Sequence, residues 1–538
     1  MSELNYVNSK KNIILYLVLI LTLGLTLRFY YFPYDVPIAT DGFITSVYAM
    51  KTVFEGGLPI GYAVTNTGWS NFLSLFFVFA DTSDPLHLMD IQRTLSIILS
   101  TITAIPAFFI FRRFADTRWA LFGSFLLVIE PRFLLMSLEG INYSLYFFLF
   151  VLTIALFLKK TDVSLFLSFV CIACATLIRY EGLLLLIPLS IMYFVKFKDK
   201  KSICKFVGLI FILIIILVPI GILRMQVTEN YCHESYFGTI CGQDGISDSI
   251  FGALMFVEKH VISEIPDLDD PIYTKTGTSA LDKFMYLGLS NLVKFLGLSL
   301  IPFFIFFIIL RLGIFIKNIK FPKLDFDKVT ILLTTCILIL PAIYAYGRGI
   351  EEIRYVLVAI PLICILSTSW TSIVSKKISK SRSVMIALIV LVSLISIIFI
   401  EFEMNDYAMY KEAFLVSQEI IKMTHITNTF TYSNFIKVAE LFDTWPEIPN
   451  HDEVGKLKRD FIKISTNNYD SVLELIIDSK KYDLKYLVVD RNNEFFDDLR
   501  VNQSDYNYLH KIDLNNFEQI TNYSIYEINY EVLLDYEK

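Results

Sequence analysis

The chain has 538 residues, of which 55% are hydrophobic and 19% are charged, and its mean hydropathy is +0.57. A soluble protein of this length does not carry so many long apolar runs, so the composition indicates a polytopic membrane protein. The formal net charge of -6 at pH 7 argues against nucleic acid as a partner.

About eleven apolar segments are long enough to cross a bilayer as helices. Lys- and Arg-rich connections lie in alternate loops, from Lys10 and Lys11 before the first segment to SKKISKSR at 375–382 after the tenth. The positive-inside rule then predicts a multi-pass protein of the plasma membrane with a cytoplasmic N-terminus and an extracytoplasmic C-terminus. The predicted spans are approximately 12–32, 91–111, 119–136, 141–158, 162–178, 181–196, 205–224, 289–316, 329–346, 355–374 and 383–401.

Two of the predicted outer loops are long, at 33–90 and 225–287. The first contains WSNFLSLFFVFA at 69–80, which is too short to cross and is expected to be an interfacial or re-entrant helix. The second contains Cys232 and Cys241 in a polar stretch. A disulfide between them is expected, because an extracytoplasmic compartment is usually oxidising, and two free thiols are the alternative.

The composition changes near residue 403 to a charged segment rich in Asn, Asp and Tyr. We therefore predict a membrane domain at 1–402 and a soluble extracytoplasmic α/β domain at 403–538. Helical periodicity at 411–423 and 471–481 alternates with strand-like runs, which are found at 427–433, 486–490 and 521–530.

The ionisable residues that could carry chemistry all fall on the predicted outer side. Charge at membrane depth is costly unless it is used, so their common side indicates a site there. These residues are Asp41, Glu139, Arg179, Glu181, Arg348, Glu351, Glu352 and Arg354.

Asp41 begins a helix-like pattern shortly after the first span. A carboxylate at a helix N-terminus is electrostatically favourable, so Thr40 or Asp41 could be a simple N-cap. The functional alternative is a general base that deprotonates an acceptor hydroxyl, or a group that orients a phosphate through a metal.

Several segments in order resemble the membrane-embedded glycosyltransferases of the GT-C class, over roughly residues 1–400. The resemblance is closest to the branch of the protein O-mannosyltransferases, which use dolichyl-phosphate mannose, and the lipid A aminoarabinose transferases. Besides the first outer loop with Asp41, it rests on QRTLSIILSTITAIPAFFIFRRFAD (92–116), IEPRFLLMSLEGINYSLYFFLF (129–150), ATLIRYEGLLLLIPL (175–189) and GIEEIRYVLVAIPLICIL (349–366).

The resemblance implies that Asp41 is the catalytic base or a group that orients the acceptor. The family often has a second acid beside it, where this chain has Gly42. A further family acid usually stands near position 143, which here is Tyr143, and Glu139 is the nearest acid. Glu139 is therefore the second catalytic candidate.

The resemblance also implies that Arg179 and Arg354 bind the phosphate of a lipid-linked sugar. Arginine suits this role because its planar fork donates paired hydrogen bonds and keeps its charge. Arg93, Arg348 and Glu351 are further candidates for substrate binding. The alternatives are arginines that snorkel to lipid headgroups, and glutamates that serve only as their salt-bridge partners.

The implied function is transfer of a sugar from a polyprenyl- or dolichyl-phosphate donor to a protein, glycan or lipid acceptor on the outer face. A requirement for Mg²⁺ or Mn²⁺ is left open, because one carboxylate rarely holds a divalent ion. A flippase or transporter of lipid-linked sugars and a non-catalytic cell-envelope assembly protein are the alternatives. An oligosaccharyltransferase is disfavoured, because the soluble domain of that family carries a WWDYG-type motif, whereas this chain has four Trp and no two are adjacent.

Overall fold

The computed structural model describes most of the apolar part of the chain and a smaller part of the C-terminal segment. The described residues are 10–228 (without 35, 39, 60–66, 81 and 83), 280–306, 308, 311, 325–375 (without 348), 381–423, 428–430 and 469–536 (without 483, 491–493 and 513–522).

The described apolar part is helical. Its α-helices are α1 Lys10–Tyr30, α2 Thr40–Phe54, α3 Thr67–Phe77, α4 Pro85–Ile102, α5 Ala104–Phe111, α6 Thr117–Ile129, α7 Pro131–Leu138, α8 Tyr143–Lys159, α9 Asp162–Ile178, α10 Leu186–Lys196, α11 Lys200–Thr228, α12 Ala280–Leu300, α13 Phe326–Leu338, α14 Leu340–Gly347, α15 Ile360–Ser375 and α16 Ser381–Met423. Three 3-10 helices join them, at Tyr180–Leu185, Ile301–Phe303 and Ile353–Ala359.

Within the described residues, seven helices are long and apolar enough to cross a membrane, or eight if one bent pair is a single span. Helices α8 and α9 are apolar but shorter. Over the residues that the structure describes, each of the eleven predicted spans coincides with a helix or a broken helix, although not every one meets the length criterion. The prediction of a polytopic helical membrane protein is therefore confirmed, whereas the number eleven is not established.

The bent pair consists of α6 and α7, which meet at 47°. Pro131 begins α7, and it cannot donate the backbone hydrogen bond that would continue α6. The carboxylate of Glu130 caps the new helix by accepting the Phe133 N–H at 2.6 Å. The sequence Glu-Pro thus both ends one helix and starts the next.

Helices α8 and α9 form an antiparallel hairpin. Its turn at Lys160 and Thr161 is fixed by a left-handed residue, Lys160, and by a capping box between Thr161 and Ser164. At this end Asp327, in the first turn of α13, accepts Lys160 Nζ at 2.7 Å and Arg113 Nη1 at 2.9 Å. Three loops predicted to be cytoplasmic therefore meet at one end of the bundle.

The C-terminal segment contains a four-stranded sheet of order β1-β2-β4-β3. Strand β1 pairs parallel with β2, and β4 pairs antiparallel with β2 and β3. The strands are β1 Asn428–Phe430, β2 Leu484–Asp490, β3 Leu509–Lys511 and β4 Tyr523–Ile528, with α-helices α17 Val472–Ser479, α18 Asp497–Val501 and α19 Tyr530–Tyr536 and 3-10 helices Lys480–Tyr482, Glu494–Phe496 and Gln503–Asp505.

Helix α17 packs on this sheet through Leu475 and Ile476, which bury against Leu487 and Val489. The helices and strands expected at 471–481, 486–490 and 521–530 are thus present as an α/β arrangement.

The chain divides into two compact units. The first contains Met1–Phe32, Leu58–Phe72 and Arg93–Ile400, and the second contains Pro33–Gly57, Leu73–Gln92 and Glu401–Lys538. The second unit thus takes in parts of the first outer loop, which the sequence assigned to the membrane domain. The boundary between residues 402 and 403 stays a prediction.

Candidate functional site

A polar cluster lies in the first unit, at the end of the α8–α9 hairpin opposite the Lys160 turn. Tyr143 begins α8, and Arg179 follows α9 directly in an extended conformation. The 3-10 helix before α15 brings Arg354 to the same place. We call Asn142, Tyr143, Arg179, Glu181 and Arg354 the Arg179 cluster.

Arg179 is held on three sides within this cluster. Its guanidinium carbon lies 4.1 Å from the centroid of the Tyr143 ring, which is a cation–π contact. Nη2 donates to Glu181 Oε1 at 2.6 Å, and Nη1 donates to Asn142 Oδ1 at 3.3 Å. An arginine has five N–H donors, and these two bonds leave others for an incoming anion.

Arg354 shares the Tyr143 ring with Arg179. Its guanidinium carbon is 6.0 Å from the centroid of that ring and 5.6 Å from the centroid of Tyr355. Arg354 also forms an ion pair with Glu352. The side chains of Arg179 and Arg354 are 12% and 19% exposed, so both remain accessible to a ligand while being partly shielded from water.

The electrostatics of the cluster favour an anion. Two guanidiniums converge at the first turn of α8, where the unpaired backbone N–H groups give a helix its positive end. Glu181 and Glu352 balance the two cations in the absence of a ligand. The arrangement can bind a phosphate with arginine forks, provided that the phosphate displaces part of this internal pairing.

The turn between α7 and α8 carries Glu139, which is exposed. This turn is fixed by two buried donors. Arg93 Nε donates to the Leu138 carbonyl at 3.0 Å, and Trp69 Nε1 donates to the Gly140 carbonyl at 3.0 Å.

Arg93 is 2% exposed and lies 6.0 Å from the Phe32 ring centroid. The structure therefore gives Arg93 a packing contact that the sequence did not foresee. The roles of Arg93 and Glu139 toward substrate stay predictions.

Asp41 lies in the second unit, in the first turn of α2, and is exposed. Its neighbour Gly42 is buried, and the Gly42 carbonyl accepts Gln92 Nε2 at 2.9 Å and Thr45 Oγ1 at 2.8 Å. These bonds fix the start of the helix that carries Asp41. The N-terminal position was predicted, and the role of Asp41 as a base stays a prediction.

Four predicted site residues remain, and Glu351 is the one of them that the structure describes. Glu351 pairs with Lys294 at 2.7 Å, and both side chains are 52% exposed. Arg348 lies outside the described residues. The disulfide candidates Cys232 and Cys241 also lie outside them.

A second group of charges was missed by the sequence analysis. Arg28, Glu130 and Arg132 are 0%, 1% and 4% exposed, at the break between α6 and α7. Arg132 Nη1 lies 3.7 Å from Glu130 Oε1, and Glu130 also attracts Arg28 electrostatically. The available signal was the charged tripeptide Glu-Pro-Arg inside an apolar run, which is unusual enough to indicate a buried use.

In the described part of the chain, no group of three or more His, Cys, Asp or Glu side chains is arranged to hold a metal ion. Glu181 in the cluster and Glu352 beside it are both paired with arginines. These residues do not fit a divalent cation, and no step is assigned to one.

The sequence matches no protein-family model and no curated protein. Among solved structures, an oligosaccharyltransferase from Archaeoglobus fulgidus, tethered to an acceptor peptide containing the NVT sequon, is similar with 14% identity and a TM-score of 0.51. The similarity covers 90% of this chain and 70% of the oligosaccharyltransferase. The chain therefore shares the overall fold of this solved structure.

A second solved structure, ArnT from Cupriavidus metallidurans bound to undecaprenyl phosphate, is similar with 10% identity and a TM-score of 0.48. The similarity covers 95% of this chain and 97% of the ArnT chain, but a TM-score of 0.48 is too low to support a common fold. At these identities the likeness concerns the fold and does not extend to substrates.

Proposed function

We propose that this chain is an integral-membrane glycosyltransferase that takes a sugar from a polyprenyl- or dolichyl-phosphate donor. The observation that carries the proposal is the convergence of Arg179 and Arg354 on the ring of Tyr143, at the positive end of α8. The fold that the chain shares with the solved oligosaccharyltransferase supports it.

The physical argument starts from the donor. A polyprenyl chain does not leave the bilayer, so the phosphate that joins it to the sugar stays at headgroup depth. An enzyme must meet that phosphate there with cations, and the partly shielded arginine pair lies at one end of the helical bundle. Partial burial strengthens the attraction, because the field of a charge is screened less there than in bulk water.

In the proposed reaction an acceptor nucleophile attacks the anomeric carbon of the sugar, and the bond between that carbon and the phosphate oxygen breaks. Polyprenyl phosphate leaves with the bonding electrons and is stabilised by Arg179 and Arg354. Asp41, as general base, takes the proton of the acceptor. In-line attack inverts the anomeric centre, as the resemblance implies.

The acceptor is a protein, a glycan or a lipid. The mannosyltransferase branch is the finer proposal from the sequence. The solved structure with a similar fold is an oligosaccharyltransferase, and this is the activity that the sequence disfavoured. A likeness of fold does not separate the two.

A transporter is expected to carry polar residues inside its spans, whereas the candidate site residues lie at the predicted outer ends. Arg28, Glu130 and Arg132 are nevertheless buried at the break of the bent span. A flippase or transporter therefore remains the alternative, and an assay of sugar transfer in proteoliposomes separates it from an enzyme.

Binding of polyprenyl phosphate to the full chain in nanodiscs tests the proposed site. Arg179→Gln and Arg354→Gln should each weaken binding about 10- to 100-fold, because each removes a charged donor worth about 1.5–3 kcal/mol. Arg113→Gln is the matched control, since Arg113 is also a partly exposed, ion-paired arginine but lies at the opposite end of the bundle. Equal affinity in all three variants would contradict the proposed site.

A further inference from the structure

The first outer loop enters the first unit through the beginning of α3. Trp69, the third residue of that helix, is 0% exposed, and its Nε1 donates to the Gly140 carbonyl at 3.0 Å. Gly140 has a positive φ of 68°, a conformation that favours glycine. Because Gly140 precedes Asn142 and Tyr143 closely, Trp69 fixes the turn that presents both of these side chains to Arg179.

The residue before Trp69 makes a second contact with the same site. A Cβ on Gly68 would collide with the carbonyl oxygen of Leu177 and would lie 2.9 Å from the Ile178 nitrogen. Leu177 and Ile178 are the last residues of α9, directly before Arg179. The backbone of α3 therefore packs against the end of α9 at a distance that only glycine permits.

The two contacts hold two segments that are hydrogen-bonded to each other, the α7–α8 turn and the end of α9. Asn142 lies in the α7–α8 turn. Its Nδ2 donates to the Ile178 carbonyl at 3.5 Å, and its Oδ1 accepts Arg179 Nη1. Trp69 fixes the α7–α8 turn, and Gly68 packs against the end of α9. A shift of α3 would therefore change the separation of Asn142 and Arg179 and the stacking of Arg179 on Tyr143.

We propose that Gly68 and Trp69 are positioning residues, which lock the start of α3 between the two elements that form the Arg179 cluster. Through them the first outer loop sets the geometry of the arginine that binds the donor phosphate. The consequence for catalysis rests on the proposed function, whereas the geometric claim does not.

Chemical labelling of arginines tests the geometric claim without any substrate. Phenylglyoxal reacts with accessible guanidiniums, and mass spectrometry gives the labelling rate of each arginine in the full chain. Trp69→Phe keeps a smaller aromatic ring but removes the N–H donor, and Gly68→Ala disturbs the backbone contact. Each should raise the labelling rate of Arg179 about fivefold, as expected for the loss of one hydrogen bond.

The matched control is Trp119→Phe, because Trp119 is 3% exposed and is the third residue of α6, at the opposite end of the bundle. It should leave the labelling of Arg179 unchanged. Arg113 serves as an internal standard, and its labelling should be the same in all variants. An unchanged rate at Arg179 in both Trp69→Phe and Gly68→Ala, or an equal rise in Trp119→Phe, would overturn the proposal.

Steady-state kinetics test whether the position of α3 affects the binding of the donor. Trp69→Phe should raise the KM for the polyprenyl-phosphate sugar about fivefold with a smaller change in kcat, whereas Trp119→Phe should change neither. If the wild type binds no polyprenyl phosphate, the proposed function fails while faster labelling of Arg179 still supports the positioning role. If binding and transfer are normal but neither labelling nor KM responds, the positioning role fails and the proposed function stands.

Discussion

Removing the charge of Glu130 should destabilise the membrane part of the chain strongly. Glu130 is 1% exposed, and it compensates two buried cations, Arg28 and Arg132. Glu130→Gln keeps the size of the side chain and an oxygen that can accept the Phe133 N–H, so the loss is mainly one of charge. Breaking a buried ion pair by removing one partner costs about 3–5 kcal/mol, and we expect a loss of unfolding free energy in this range.

A double substitution tests the reason for the loss. Arg28 donates to the hydroxyls of Ser100 and Ser137 and to the Val128 carbonyl. Both hydroxyls already donate to a carbonyl of their own helix, so Arg28→Met leaves them with a partner. Because the double variant removes opposite charges together, it should lose at least about 1 kcal/mol less than the sum of the single variants.

Equilibrium unfolding in mixed micelles of dodecyl maltoside and dodecyl sulfate, followed by far-ultraviolet circular dichroism, measures these free energies. Glu351→Gln is the control, because the exposed Lys294–Glu351 pair should contribute less than about 1 kcal/mol. A loss below about 1 kcal/mol for Glu130→Gln, or strict additivity in the double variant, would refute the reasoning.

Three further predictions concern other regions. Asp41→Asn should lower sugar transfer about 100-fold or more without weakening polyprenyl-phosphate binding, and parallel assays of both quantities check this. Arg354→Lys keeps the charge but loses the fork, so we expect about tenfold weaker binding in nanodiscs. Lys481 and Tyr469 hold the pKa of Asp478 below its ordinary value, so these contacts stabilise α17 above about pH 4 and are lost as the pH falls through the lowered pKa. After correction for the pH dependence of intrinsic amide exchange, the protection of the α17 peptide against hydrogen exchange should therefore fall at low pH in the wild type and less so in Asp478→Asn.

Controls sharpen these three predictions. Asp41→Glu keeps a carboxylate and should retain more transfer than Asp41→Asn, so equal loss in both would argue for a structural role. If Arg354→Lys binds as well as the wild type, charge alone is sufficient at this position. If exchange of the α17 peptide has the same pH dependence in Asp478→Asn as in the wild type, Asp478 is not the titrating group.

The sequence was sufficient to predict that Arg179 and Arg354 lie at the same end of the bundle. That prediction needs only the order of the apolar spans, because antiparallel spans return to the same side at every second connection. The opposite end follows from the same alternation, which brings Arg113 and Lys160 together. Asp327 as their shared partner could not be predicted, since it depends on the packing of α13.

Tertiary contacts decided what the sequence could not. Arg93 was expected at the membrane surface because of its place at the start of a span, yet it is buried against the α7–α8 turn. Trp69 was assigned to an interfacial or re-entrant helix, and its bond to Gly140 joins residues 71 positions apart. No local pattern reports a contact of that separation. The contact of Arg179 and Arg354 with the ring of Tyr143 likewise depends on three segments that are distant in the chain.

The most direct test of the central claim is sugar transfer in proteoliposomes from radiolabelled polyprenyl-phosphate sugars, with wild type, Arg179→Gln and Arg113→Gln in parallel. The account predicts transfer by the wild type and by Arg113→Gln, and little or none by Arg179→Gln. Absence of transfer from every donor, with movement of the labelled lipid between leaflets, would contradict it and favour a transporter.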